Sequence, residues 1–119
     1  ILNVTDVATA SLDTFDIYLQ SAILLPPGTQ DEIWDDFVHF TQVLGNATEP
    51  VRHIAAWQRD GADPESEMRT PQNAAIASGA VVQGPVGSKI RARLVVVDDG
   101  TVNATITYSI SAYTVEDTE

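Results

Sequence analysis

The chain holds two histidines, His39 and His53, and no cysteine. Acid/base chemistry by an imidazole near neutral pH would therefore have to run through one of those two rings. His53 with Asp60 or Asp63 could be assembled in space into an acid/base pair, which makes a small hydrolase one reading of the residue types. No serine sits in a nucleophile-elbow context, however, and the missing cysteine removes thiolate catalysis, disulfides and sulfur-ligated metals together. Neither histidine has a partner at a metal-ligand spacing such as HExxH. His39, within Val38-His39-Phe40, reads as an ordinary histidine on an amphipathic element.

The carboxylate clusters Asp60, Asp63, Glu65, Glu67 and Asp98, Asp99 offer oxygen atoms to a hard cation such as calcium, but they lack the Asp-x-Asp-x-Asp-Gly order of a calcium loop. Gly84-Pro85-Val86-Gly87-Ser88-Lys89 lacks the spacing of a phosphate-binding loop and reads as a turn before a strand. The expectation is a protein that is not an enzyme, with no catalytic residue, no cofactor and no metal ligand assigned.

Other residues suggest contact rather than catalysis. Three of the four asparagines stand in acceptor sequons, Asn3-Val4-Thr5, Asn46-Ala47-Thr48 and Asn103-Ala104-Thr105, which if modified would place the protein outside the cell. Trp34, Trp57, Tyr18, Tyr108 and Tyr113 are the aromatic platforms available to a sugar. On the hydropathy pattern Trp34 and Tyr108 face the core, leaving Tyr113 and Tyr18 outside. Arg91 and Arg93 share one face of an apparent strand with Val95 and Val97, a mixed strip suited to a neighbour's carboxylates and apolar surface.

The elements that must position these residues are mostly β. In 12–25, Phe15, Ile17, Leu19, Ile23 and Leu25 share one parity while Asp16 and Gln20 fall on the other, which predicts a half-buried strand ended by Pro26, Pro27 and Gly28. Thr29 and Glu32 then form a capping box. Ile33, Trp34, Phe37, Val38, Thr41 and Leu44 recur at helical spacing, which predicts one amphipathic helix over 30–44. Residues 50–59 fit a strand or a short helix, with Trp57 favouring the strand. The run 59–71 reads as an exposed loop and 74–82 as a short strand.

The last thirty residues alternate most cleanly. Ile90, Ala92, Leu94 and Val96 face one way and Arg91 and Arg93 the other; after Asp98-Asp99-Gly100, residues Val102 to Ala112 alternate again. A three-residue loop with a left-handed Gly100 would pair Val96 with Val102, Leu94 with Ala104, Ala92 with Ile106 and Ile90 with Tyr108, keeping the apolar sets on one side of a β-hairpin. The expected architecture is a single domain over 1–119, a β-sandwich or jelly-roll-like fold with one inserted helix, with an α+β sheet carrying the helix as the alternative.

Composition narrows the setting. Seventeen acidic residues against six basic ones give a formal charge of -11, a density that repels phosphate backbones and anionic lipids. Nucleic acid is therefore not an expected partner, and no stretch approaches the ~20 apolar residues of a membrane-spanning helix. Apolar residues at 44% supply a core, and the acids are dispersed along the chain, so the charge belongs to a folded surface. Five of the six basic residues are Arg. In concentrated salt, where the Debye length is roughly 3 Å at 1 M, such a surface is screened and apolar burial is strengthened.

In acidity, arginine preference and its Thr- and Val-rich carboxyl end the chain resembles, in style and without a family-specific motif, structural proteins of haloarchaeal surfaces or haloarchaeal viruses. That resemblance implies a small capsid, decoration, tail or surface-layer subunit, extracellular or in a virion. It also implies contacts with copies of itself or with other structural subunits. The alternatives are a carbohydrate-binding or adhesion module and the His53 hydrolase.

Overall fold

A computed structural model describes residues 1–8, 13–23, 33–45, 50–58, 70–84, 86–87, 89–97 and 105–113. The described part is all β. Seven strands follow in chain order: β1 (Leu2–Ala8), β2 (Thr14–Ile23), β3 (Ile33–His39), β4 (Val43–Leu44), β5 (Val51–His53), β6 (Ile90–Val97) and β7 (Thr105–Ile110). They form two antiparallel sheets packed as a sandwich.

The first sheet has the order β5-β1-β7. In the second, β3 and β4 follow one another along one edge of β2 while β6 lies along the other, pairing from Thr14↔Val97 to Ser21↔Ile90. Between the sheets sit Leu2 and Val4 from β1, Phe15 and Ile17 from β2, Phe37 and Val38 from β3, with Phe40 and Val43. Leu94, Ile106, Tyr108 and Trp57 pack at the margin of this cluster. Truncating a core aromatic such as Phe15 to Ala would cost about 3–5 kcal/mol on general grounds.

The strand expected in 12–25 is β2, with Phe15 and Ile17 on its inner face. The helix expected over 30–44 is not formed: Ile33–His39 is a strand paired with Tyr18–Ile23. The cause is a bulge. Leu19 opposes Val38 while Gln20 opposes Asp36, so Phe37 is an extra residue and both Phe37 and Val38 reach the core. Two consecutive buried residues break the period of two and imitate helical spacing. No helix occurs among the described residues, which removes the α+β alternative there as well.

The expected β6–β7 hairpin is also absent. β6 pairs with β2 and β7 with β1, so the strands belong to different sheets, and Ala92 and Ile106 have other partners. Alternation determines which side chains face inward, not which strand lies alongside. Eight consecutive pairs with β2 satisfy β6 as a hairpin would. The loop Asp98–Gly100, Val102 and Ala104 lie outside the described residues. In 50–59 the strand is limited to Val51–His53, yet the alternation continues through Trp57. Residues 74–82 form no named strand; Val81 alone makes a bridge, to Val38.

Candidate functional site

On β2 the parity opposite the core carries Asp16, Tyr18 and Gln20. The sequence pattern predicts a solvated face there, yet all three are buried. β3 brings His39 opposite Tyr18 and Asp36 opposite Gln20, and β6 brings Arg93 and Arg91 opposite the same two residues. Segment 72–80 lies against this outer face through a series of polar contacts.

Asp36 is the main anchor. Its carboxylate accepts backbone N–H bonds from Ala74 (2.9 Å), Ala75 (2.8 Å) and Ile76 (3.3 Å), and one from Gln20 Nε2 (2.7 Å). Successive backbone N–H groups converging on one anion form a nest, and Ala74 has a left-handed φ of 53°. Gln20 is fully buried and its amide is satisfied at both ends. Its nitrogen donates to Asp36 and to Asn73 Oδ1 (2.8 Å), and its oxygen accepts from Arg91 Nε (2.8 Å). Asn73 Oδ1 also accepts from Arg93 Nη1. Arg91 lies over the Trp34 ring at 4.1 Å.

His39 is the second anchor. Its Nδ1 lies 2.8 Å from the Ile76 carbonyl and its Nε2 2.9 Å from Asp16 Oδ1. The ring is thus held at both nitrogens, between the Ile76 carbonyl and the Asp16 carboxylate. Gln42 Nε2 adds donations to both Asp16 oxygens, and the Gln42 backbone N–H donates to Ser78 Oγ. Tyr18 stacks on the His39 ring with centroids 4.0 Å apart. Burial raises the Tyr18 phenol above its ordinary pKa, as do the nearby carboxylates Asp16 and Asp36, against an opposing pull from Arg93.

Asp16, Gln20, Asp36 and His39 all find their partners within the fold, and no nucleophile stands beside His39 at hydrogen-bond distance among the described residues. The chemistry of this constellation is that of a clamp: it fastens segment 72–80 to the sheet. Among the described residues no three His, Cys, Asp or Glu side chains group as a metal site would require.

No protein-family model matches this chain. No curated protein and no solved structure matches it either.

The other candidate residues are therefore placed by the geometry alone, and they are scattered. His53 is on β5, lining a cleft of about 300 Å³ with Arg52, Ile54, Thr41, Gly79 and Val81 among its walls. No carboxylate lines it among the described residues. Asp60 and Asp63, the expected partners of His53, lie outside the described residues, as do Glu65, Glu67, Asp98 and Asp99. Of the sequons, Asn46 and Asn103 lie outside them too. Asn3 is on β1, the middle strand of its sheet, and its Oδ1 accepts from Arg52 Nε at 3.3 Å.

The aromatic placement needs two corrections. Trp34 faces Arg91 on the outer side of its sheet rather than the core, because the bulge at Phe37 reverses the parity of β3. Tyr18, expected outside, is only 6% exposed because segment 72–80 and His39 enclose that face. Tyr108 packs against the core and Tyr113 is exposed, both as expected.

The clamp has only a faint trace in the sequence: Asp16 is set between Phe15 and Ile17, and Gln20 follows Leu19 on the same parity as Asp16. Arg91, Arg93, Val95 and Val97 do share the outer face of β6, opposite Gln20, Tyr18, Asp16 and Thr14.

Proposed function

We propose that this protein is a structural subunit of an extracellular or virion assembly adapted to high salt. The observation that carries the reading is β6. Ile90, Val96 and Val97 on this one strand are 57%, 40% and 56% exposed, and among the described residues β6 has a strand neighbour on one side only. A long, exposed, apolar edge strand is a template for association that a solitary protein ordinarily blunts. The polar chemistry, in contrast, is consumed in holding segment 72–80.

Nested pairing of β1 with β7 and β2 with β6 supports a jelly-roll-like wrap, a form suited to shells and fibres. The acidic surface and arginine preference support a salt-rich setting, and the resemblance in style to haloarchaeal surface and viral proteins agrees with both. Native mass measurement at ~3 M potassium chloride tests the reading. The expected result is an oligomer, or a complex with other subunits when the protein is taken from its source. A monomer in both preparations would overturn it.

A further inference from the structure

Among the described residues, the side of β6 away from β2 carries no strand. The Ala22 N–H donates to the Lys89 carbonyl at 3.0 Å, and these two residues lie opposite one another in the same register that pairs Thr14 with Val97. In an antiparallel pair, directly opposed residues exchange hydrogen bonds at every second position. Arg91, Arg93, Val95 and Val97 therefore turn their backbone groups toward β2. Ile90, Ala92, Leu94 and Val96 turn theirs outward, away from the sheet.

Those four residues are also the ones whose side chains face the core side of the sheet, with Phe15 opposite Val96 and Ile17 opposite Leu94. Leu94 reaches the core margin, whereas Ile90, Ala92 and Val96 are exposed. Among the described residues the edge thus lacks two things at once, a hydrogen-bonded neighbour and an apolar cover beside its inner face. A single added strand supplies both.

Charge selects the strand. Residues 89–97 contain Lys89, Arg91 and Arg93, half of the basic residues of the chain, and none of its seventeen acids. Among the described residues the side-chain partners of the two guanidiniums are neutral: Gln20 and Trp34 for Arg91, Asn73 for Arg93. Pairing β6 with β6 of a second copy would gather the like charges of both strips at one seam.

We propose that the β6 edge receives an extended segment of another chain, with apolar residues at alternate positions and carboxylates between them, by strand addition. Its apolar side chains lie beside Ile90, Ala92 and Val96 and widen the core. Its carboxylates lie on the outer face, beside Arg91 and Arg93. This rests on the subunit reading above and names the chemistry of the neighbour.

The test uses two eight-residue peptides, one alternating Val and Glu and one alternating Val and Lys, added to the full chain in ~1 M salt while amide hydrogen exchange is followed. The Val-Glu peptide is expected to slow exchange at Ile90, Ala92, Leu94 and Val96 by at least ~10-fold at saturation, leaving Arg91 and Arg93, already bonded to β2, unchanged. The Val-Lys peptide is expected to do nothing. Ala92→Pro removes an outward N–H without touching the β2 ladder, so it should keep the fold and lose the peptide effect.

No protection, equal protection by both peptides, or unaltered peptide binding by a folded Ala92→Pro variant would each overturn the proposal. Concentration-dependent protection of the same four amides without peptide would make a second copy the occupant. That outcome overturns the acidic neighbour and leaves the subunit reading standing. Peptide protection in a protein that stays monomeric from every source supports the edge and removes the subunit reading.

Discussion

Gln20 Nε2 stands 2.7 Å from Asp36 Oδ1, a buried contact between two strands that also fixes the loop above them. Asp36 holds the N–H groups of Ala74, Ala75 and Ile76 while Gln20 holds Asn73, so one pair of side chains fastens four consecutive residues. Asp36→Asn keeps the shape but replaces acceptor capacity with an NH2 group facing donors. Bonds to charged groups contribute about 1.5–3 kcal/mol each, and an unsatisfied buried donor costs about 1–3 kcal/mol. The expected loss is about 3 kcal/mol in urea denaturation, with amide exchange at 74–76 accelerated more than elsewhere.

Ala74 holds a left-handed conformation that costs an L-residue about 1–2 kcal/mol. Glycine adopts it freely but loses more entropy on folding. Ala74→Gly is therefore expected to raise stability by up to about 1 kcal/mol, read as an upward shift in the denaturation midpoint. An unchanged or lowered midpoint would count against the nest around Asp36.

The Tyr18 phenol is raised in the fold, so the folded state holds its proton more tightly than the unfolded state does. The corresponding stability is complete below the ordinary tyrosine value of about 10 and is lost as pH rises through the higher folded value. Wild type should therefore destabilise more steeply above about pH 10 than Tyr18→Phe, and the two should run parallel below it. Urea midpoints from about pH 8 to about pH 11.5 measure the difference.

Gly87 packs directly against the backbone of β2. A Cβ there would lie 2.0 Å from the Ala22 carbonyl oxygen, which is backbone and cannot swing away. Gly87→Ala is expected to cost at least about 1–3 kcal/mol, the range for forced overpacking. Gly84→Ala offers a contrast, since nothing lies within 4 Å of its added Cβ and only its φ of +119° opposes the change. Thermal melts of the two variants separate crowding from backbone strain.

The excess of acidic over basic residues predicts stability that depends on salt. Melting in ~0.1 M and ~3 M potassium chloride brackets weak and near-complete screening. The midpoint should rise across that range. An unchanged midpoint would remove the salt-adapted reading.

Much of this architecture is legible in the sequence as faces. The alternation in β2, β6 and the described part of β7 sets which side chains turn inward, because a strand places successive residues on opposite sides whatever lies beside it. The acidic charge, the absence of cysteine and the mixed strip of Arg91, Arg93, Val95 and Val97 are equally plain.

Partnership and local irregularity are settled only in three dimensions. β6 and β7 read as a hairpin because they are neighbours in sequence, yet each joins a strand from the first 23 residues, and no local pattern encodes that choice. The helix expected over 30–44 gives way to β3 because one bulged residue, Phe37, makes a strand's burial look helical. Gln20 becomes an interior group because segment 72–80 arrives from more than fifty residues away carrying Asn73, and Asp16 because His39 and Gln42, more than twenty residues on, supply its donors. Side-chain periodicity is a property of the backbone and can be read along it. Which surfaces meet is a property of the whole packed chain, in which a buried polar group is stable only where a distant segment completes its hydrogen bonds.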